Sequence, residues 1–167
     1  MGLINGTVIL ENKYNIWKTM FEDEKDNLIK IFNQDTFQIE HVGSTAVKGL
    51  SAKPIVDIAI GVASFSDIDK YMNVLETIYT VKISNEEILL IKENQEETFF
   101  LIHILIINNK RYNDMIKFRD ILINNSNVLK EYEQLKIELS KKYSNDRKMY
   151  TKSKNNYIHE ILENINS

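Results

Sequence analysis

The chain has 167 residues, 43% of them hydrophobic and 27% charged, and its 21 basic and 24 acidic side chains leave a formal net charge of −3. That length predicts a single domain over 1–167, with enough apolar material for a core. The charge balance argues against extensive nucleic-acid binding, and the lack of cysteine excludes disulfides and thiolate metal sites.

Residues 1–7 carry no basic segment ahead of a long apolar stretch, and no apolar run approaches the roughly 20 residues of a membrane helix. A soluble cytoplasmic protein with no membrane partner is the expectation. A short β segment is predicted at 7–10. Over 14–32, Trp17, Met20, Phe21, Leu28 and Ile31 recur at helical spacing, with acids and lysines between them. Trp17 reads as a core anchor of that helix, which Asn33, Gln34 and Asp35 close.

A strand is predicted at 39–42, ending at the turn Gly43-Ser44-Thr45, and a second at 55–62, apolar except at Asp57 and Gly61. The segment between them holds the only proline, Pro54. Ser66 and Asp69 have the spacing of a capping box for a helix running to about 78. Strands follow at 79–83 and 88–92. Residues 99–107 give the strongest strand signal, so apolar that burial on both faces of an interior strand is predicted, beside the 55–62 strand. The remainder is helical: 112–124, then 127–143 with Ser126 as N-cap, then a last helix to 165 after the break Ser144-Asn145-Asp146. The lysines and acids of that last helix have the spacing of a solvated face. The fold class is α+β: a mixed sheet flanked by helices, with a helical C-terminal third.

Asp57 is the leading candidate for chemistry, because a carboxylate amid Ile55, Val56, Ile58 and Ile60 is costly if it faces the core unpaired. It therefore meets a solvated cleft, pairs with a cation such as Lys53, or binds metal. Strand alternation puts Asp57 and Ala59 on one face and Val56, Ile58 and Ile60 on the other. The amides and hydroxyls of Ser44 and Thr45, after Gly43, suit a phosphate if they face one, and otherwise form a capped turn. Lys53 either reaches that phosphate or neutralises Asp57. His103 interrupts the strongest strand and His41 precedes the turn; with Asp57 they would make a metal site if three strands bring them together. Glu40 alternates with His41, so at most one of the two faces the cleft. No phosphate loop, dinucleotide fingerprint or nucleophile elbow is present.

The run Glu40-His41-Val42-Gly43-Ser44-Thr45-Ala46-Val47, with Gly49-Leu50 and Ala52-Lys53-Pro54-Ile55-Val56-Asp57-Ile58, resembles the signature of the GrpB family. The likeness extends to Phe118-Arg119-Asp120, Glu131-Tyr132-Glu133, Leu135-Lys136, Tyr150 and Lys154. It implies a nucleotidyltransferase-like fold and a nucleotide or phosphate ligand held with Mg²⁺ or Mn²⁺. In that reading Ser44 and Thr45 hold phosphate, Asp57 binds metal, and His103 is a ligand or acid–base group. Lys53, Arg119 and Lys154 are further phosphate contacts. Three departures stand out: Lys48 replaces the family's usual proline, Leu101 replaces one member of a His-x-His pair, and Ala59 stands where active nucleotidyltransferases carry a second acid. Since two carboxylates hold the metals of an in-line transfer, Ala59 favours the alternative of a ligand-binding or regulatory domain without turnover.

Overall fold

The computed structural model describes residues 2–4, 6–33 and 35–165. Gln34, predicted to help close the first helix, lies outside them. The elements run β1 (Leu3–Ile4), α1 (Tyr14–Ile31), β2 (Gln38–Val42), a 3-10 turn (Ser44–Ala46), β3 (Val56–Val62), a 3-10 segment (Phe65–Tyr71), α2 (Met72–Ile78), β4 (Thr80–Ile83), β5 (Ile88–Glu93), β6 (Glu97–Ile106), α3 (Lys110–Asn124), α4 (Ser126–Lys142) and α5 (Arg147–Ile165).

The strands form one mixed sheet in the order β2-β3-β6-β5-β4, with β1 paired to β6. Strands β3 and β6 are parallel, in register from Val56↔Phe100 to Val62↔Ile106, while the other pairings are antiparallel. As predicted, the 99–107 strand is interior and lies beside the 55–62 strand. Alternation then divides the side chains. Val56, Ile58, Ile60, Phe100, Ile102 and Ile104 pack with Trp17, Phe21 and Leu28 of α1 and Leu75 of α2 in the main core. On the opposite face, Val42, Ala59 and Leu105 are covered by Tyr112 of α3. Farther along that face Leu101 and His103 are only half-buried. Burial of β6 on both faces therefore does not extend along the strand: its apolar character serves a core on one side and the floor of a cleft on the other.

The last three helices form a bundle around Phe118, Leu122, Tyr132 and Leu162, into which Val47 and Leu50 also pack. Tyr150 of α5 joins Leu139 and Val8 in a smaller cluster. Residues 7–10 make no strand; the N-terminal strand is Leu3–Ile4, and the later segment is tied down by the Val8 N–H bond to the Ser144 carbonyl. Two predicted caps shift. Ser64, not Ser66, caps the segment after β3, in a capping box with Asp67. Asn125, not Ser126, caps α4, its Oδ1 accepting from the N–H groups of Asn127 and Val128. In both cases a residue in extended backbone one or two positions earlier offers the side-chain oxygen first. No helix among the described residues is long and apolar enough to cross a membrane.

Deleting residues 145–167 would uncover the apolar faces of α3 and α4 and remove one wall of the cleft. The truncated chain is expected to be insoluble or to lose its cooperative melt. A thermal melt near that of the full chain would make α5 an appendage.

Candidate functional site

The loop between β2 and β3 is held by two clamps. Glu11 and Ala52 exchange backbone hydrogen bonds of 2.8 Å each way. From α4, Glu133 accepts the Ser51 N–H at 3.0 Å while Lys136 donates to the Ser51 carbonyl, so one residue's two backbone groups are read by an i,i+3 pair. A tight turn follows, with the Ile55 N–H bonded to the Lys53 carbonyl at 2.7 Å across Pro54. These restraints fix where Lys53 projects and where β3 begins.

Gly43 ends β2 at φ 71°, a conformation that glycine adopts without strain, and a Cβ there would lie 2.7 Å from Oδ2 of Asp57. The glycine of the Gly-Ser-Thr turn thus gives room to the carboxylate. Asp57 itself keeps 30% of its side chain exposed. It opens onto a cleft of about 1650 Å³ between the half-covered face of the sheet and the helical bundle. Gly43, Ser44, Thr45, Lys53, Asp57, His103 and Lys154 all line this cleft. The Tyr132 hydroxyl, at its wall, is hydrogen-bonded to Ser44, and burial holds its pKa far above the ordinary phenol value.

Two predicted residues lie elsewhere. His41 is across the sheet from Asp57: its ring stacks on Phe21 of α1 at 4.7 Å and its Nε2 is 3.0 Å from the Thr45 hydroxyl. Burial lowers its pKa to about 4, which leaves it neutral. The parity of β2 that separates Glu40 from His41 sends the histidine into the main core, so the predicted His41–Asp57–His103 metal set is not assembled. Arg119 is likewise engaged away from the cleft. Its guanidinium bonds Glu40 at 2.7 Å, the His41 carbonyl at 2.9 Å and Asp120 at 2.9 Å, tying α3 to β2.

His103 sits between two carboxylates, Glu87 at 2.9 Å from Nδ1 and Asp57 at 3.7 Å from Nε2. Burial alone would lower its pKa, but hydrogen bonds and charge from both acids raise it to about 9, so the ring is an imidazolium at neutral pH. Glu87 is in turn 3.2 Å from Arg111 at the start of α3. Its carboxyl is held below the ordinary range, chiefly by the hydrogen bond to His103.

A divalent ion is a poor match for these residues. Among the described residues no three His, Cys, Asp or Glu side chains converge as a ligand set. Ala59, two residues along β3 from Asp57, is fully buried under Tyr112 and brings no ligand to the cleft.

The cleft is instead cationic. Eight lysine and arginine side chains line it against three carboxylates, Asp57, Glu86 and Asp114, in a chain whose overall charge is negative. Arg147, Lys148, Lys152 and Lys154 come from α5, whose basic residues therefore border the cleft and are not merely a solvated face. Burial and the charges of Lys154 and Arg147 push Lys53 down to about 7. Lys136 falls to about 7 as well, mainly through burial. Glu87, Arg111, Lys136, Arg147, Tyr132 and Tyr150 were absent from the sequence-based site. The family resemblance includes Tyr132, Lys136 and Tyr150 without a role, and nothing in the sequence points to Glu87 or Arg111, whose contacts depend on the fold.

These features define an α+β protein with a basic cleft over the open face of a mixed sheet. The chain belongs to the GrpB family: the model of that family, described as GrpB protein, matches residues 7–164. It is 38% identical to glutamate-rich protein GrpB of Alkalihalophilus pseudofirmus, covering 99% of each chain. A UPF0157 protein of Halalkalibacterium halodurans is 28% identical over 90% of this chain and 78% of its own. The crystal structure of conserved protein GrpB from Enterococcus faecalis superposes with a TM-score of 0.83 at 25% identity, covering 93% of this chain and 96% of that one.

Replacing Gly43 by alanine places a methyl group against Asp57 in a backbone conformation that disfavours it. A loss of about 1–3 kcal/mol is expected in denaturant unfolding, and part of it should return in the Gly43→Ala/Asp57→Ala double variant. A Gly43→Ala protein as stable as the parent would disprove the contact.

The depressed lysine gives a pH signature. Between about 7, its folded value, and the ordinary 10.5, the unfolded chain holds the Lys53 proton more firmly than the folded one, so this group's destabilisation shrinks as pH rises. Lys53→Met should melt higher than the parent at pH 7, with the gap narrowing toward pH 10. A gap independent of pH would show that Lys53 keeps its ordinary proton affinity.

Proposed function

We propose that the protein binds a nucleotide or a related small polyphosphate ligand in the basic cleft. The observation that carries this reading is the excess of cations around the cleft in a chain of net charge −3. Among the described residues, Lys53, Arg147, Lys148, Lys152 and Lys154 have no carboxylate within ion-pair distance, so the cleft has positive charge left to offer. Phosphates answer both that charge and the Ser44 hydroxyl at the cleft wall, while the Thr45 hydroxyl is engaged by His41. Lys53 and Lys154 hold phosphate in this proposal, and Asp57 and His103 face the polar part of the ligand. Mg²⁺ or Mn²⁺ enters as a companion of the polyphosphate rather than as a resident ion.

The second reading, transfer of a nucleotidyl group to an acceptor, rests on the resemblance of the 40–58 motif to nucleotidyltransferases. Asp57 has no second acid beside it on β3, where position 59 is alanine, and this favours binding without that turnover.

Thermal shift of the purified protein against nucleoside triphosphates, nucleosides and inorganic triphosphate, each with and without Mg²⁺ or Mn²⁺, tests the proposal. Triphosphates are expected to raise the Tm and nucleosides to leave it unchanged, with the shift falling steeply as salt rises. Asp57→Asn separates a ligand role from a structural one. The first predicts an unchanged or higher unliganded Tm with an altered triphosphate response, the second a lower Tm with the response intact. No Tm rise with any phosphate compound would defeat the reading.

A further inference from the structure

Lys53 is set apart from the other cations of the cleft. Lys110 is paired with Asp114 at 2.5 Å, Arg111 with Glu87 at 3.2 Å, and Lys136 is bound to the Ser51 carbonyl. The side-chain amine of Lys53 has neither a carboxylate within ion-pair distance nor a hydrogen-bond partner among the described residues. Its Nζ lies 5.2 Å from the centre of the Tyr150 ring, and Nζ of Lys154 lies 5.6 Å from the same centre. Two amines thus share one aromatic ring in a half-buried corner of the cleft. Its backbone is fixed on one side by the Ser51 clamp and on the other by the turn at Pro54. A fixed, partly desolvated amine beside a second cation, with the charge of Asp57 felt but no acid in ion-pair contact, is the setting in which a lysine becomes a nucleophile at neutral pH.

We propose that Lys53 is a covalent nucleophile of this cleft, taking phosphate-bearing aldehydes or ketones as imines. The neutral amine adds to the carbonyl carbon, forming a C–N bond as the C=O π bond opens and its oxygen is protonated. Loss of the second N–H proton and departure of that oxygen as water give the imine, and hydrolysis reverses the sequence. No oxidant or reductant is needed. The phosphate of the substrate rests on the preceding reading, with one change for carbonyl substrates: Lys154 keeps the phosphate and Arg147 takes the place given there to Lys53, which reacts. The direction of the Lys53 pKa, down to about 7, agrees with the geometry.

Pyridoxal 5′-phosphate, used as a chemical probe with pyridoxal as its phosphate-free control, tests this. After brief exposure and borohydride reduction, modified lysines are mapped by mass spectrometry across a range of pH. At pH 7 Lys53 is expected to be labelled at least about tenfold faster than exposed lysines such as Lys18, with its rate levelling off above neutrality. Inorganic triphosphate should protect it, and Lys53→Arg should abolish the fast adduct without creating another. Lys154→Gln should move the rate profile to higher pH, which a purely structural Lys53 would not do. Equal rates with pyridoxal and its phosphate would keep the nucleophile and overturn the phosphate reading. Labelling that follows exposure alone, with Lys53 no faster than the rest, would overturn the nucleophile and leave the phosphate reading to its own thermal-shift result.

Discussion

The parallel pairing of β3 with β6 is the constraint on which the molecule depends. Its register aligns Val56, Ile58 and Ile60 with Phe100, Ile102 and Ile104 on the face that α1 covers, and Asp57 and Ala59 with Leu101 and His103 on the other. Because side chains alternate with a period of two, a slip of one residue would drive Asp57 into the main core and turn the isoleucines toward the cleft. The apolar face therefore fixes the register, and the register places the polar pair. Stability and site geometry come from one set of hydrogen bonds.

Around that floor the helices hold more positive charge than their own stability favours. Lys53 and Lys136 are pressed toward losing their protons: the Tyr150 ring stands beside Lys53 where a carboxylate would have been more stabilising, and Lys136 has the Tyr132 ring with Glu133 at 3.8 Å. Aromatic faces accept a cation weakly and do not neutralise it, so the field in the cleft survives. Acids are placed where they hold elements together. Glu24 joins α1 to Tyr79 and Lys92, Glu40 holds Arg119, and Glu133 binds Ser51. A net charge of −3 and a basic cleft are thus two aspects of one distribution, and the total charge conceals the second.

Much of the framework was legible in the sequence because it rests on local periodicity. The helix Tyr14–Ile31, the strands on either side of the Gly-Ser-Thr turn and the interior strand ending at Ile106 follow from apolar spacing and β-branched residues. Parity within β3 also put Asp57 on the face away from Ile58. Other features needed the third dimension. Nothing local says which face of β2 looks at the cleft, and His41 took the core side. Arg119 and Lys154 are alike as cations on helices, yet one closes a tie to Glu40 and the other borders the cleft. Lys136 meets a backbone group 85 residues away and Glu87 meets His103 across two strands, distances over which periodicity carries no information. The two misplaced caps are a smaller failure: each run offers several side-chain oxygens, and backbone geometry selects among them.

Position 59, beside Asp57 on β3, is closed to a second acid by its packing. The residue faces the same side as Asp57 but is fully buried, packed with Val42, Leu105 and the ring of Tyr112. Tyr112 is fixed in turn by its hydroxyl bond to Gln38 at 3.0 Å and lies close over Gly61, where an added Cβ would meet the ring at 3.1 Å. An acid at position 59 would therefore lie under α3, excluded from the cleft and without a cation opposite, at the cost of an unpaired buried charge. Restoring the acid by one substitution would not restore a pair of metal ligands, because the helix that covers the site would also have to move. Beside Asp57 stands the protonated ring of His103, held by Glu87 from the far side. The charge of that face is set by the His103 ring together with the basic residues that α5 brings to the cleft.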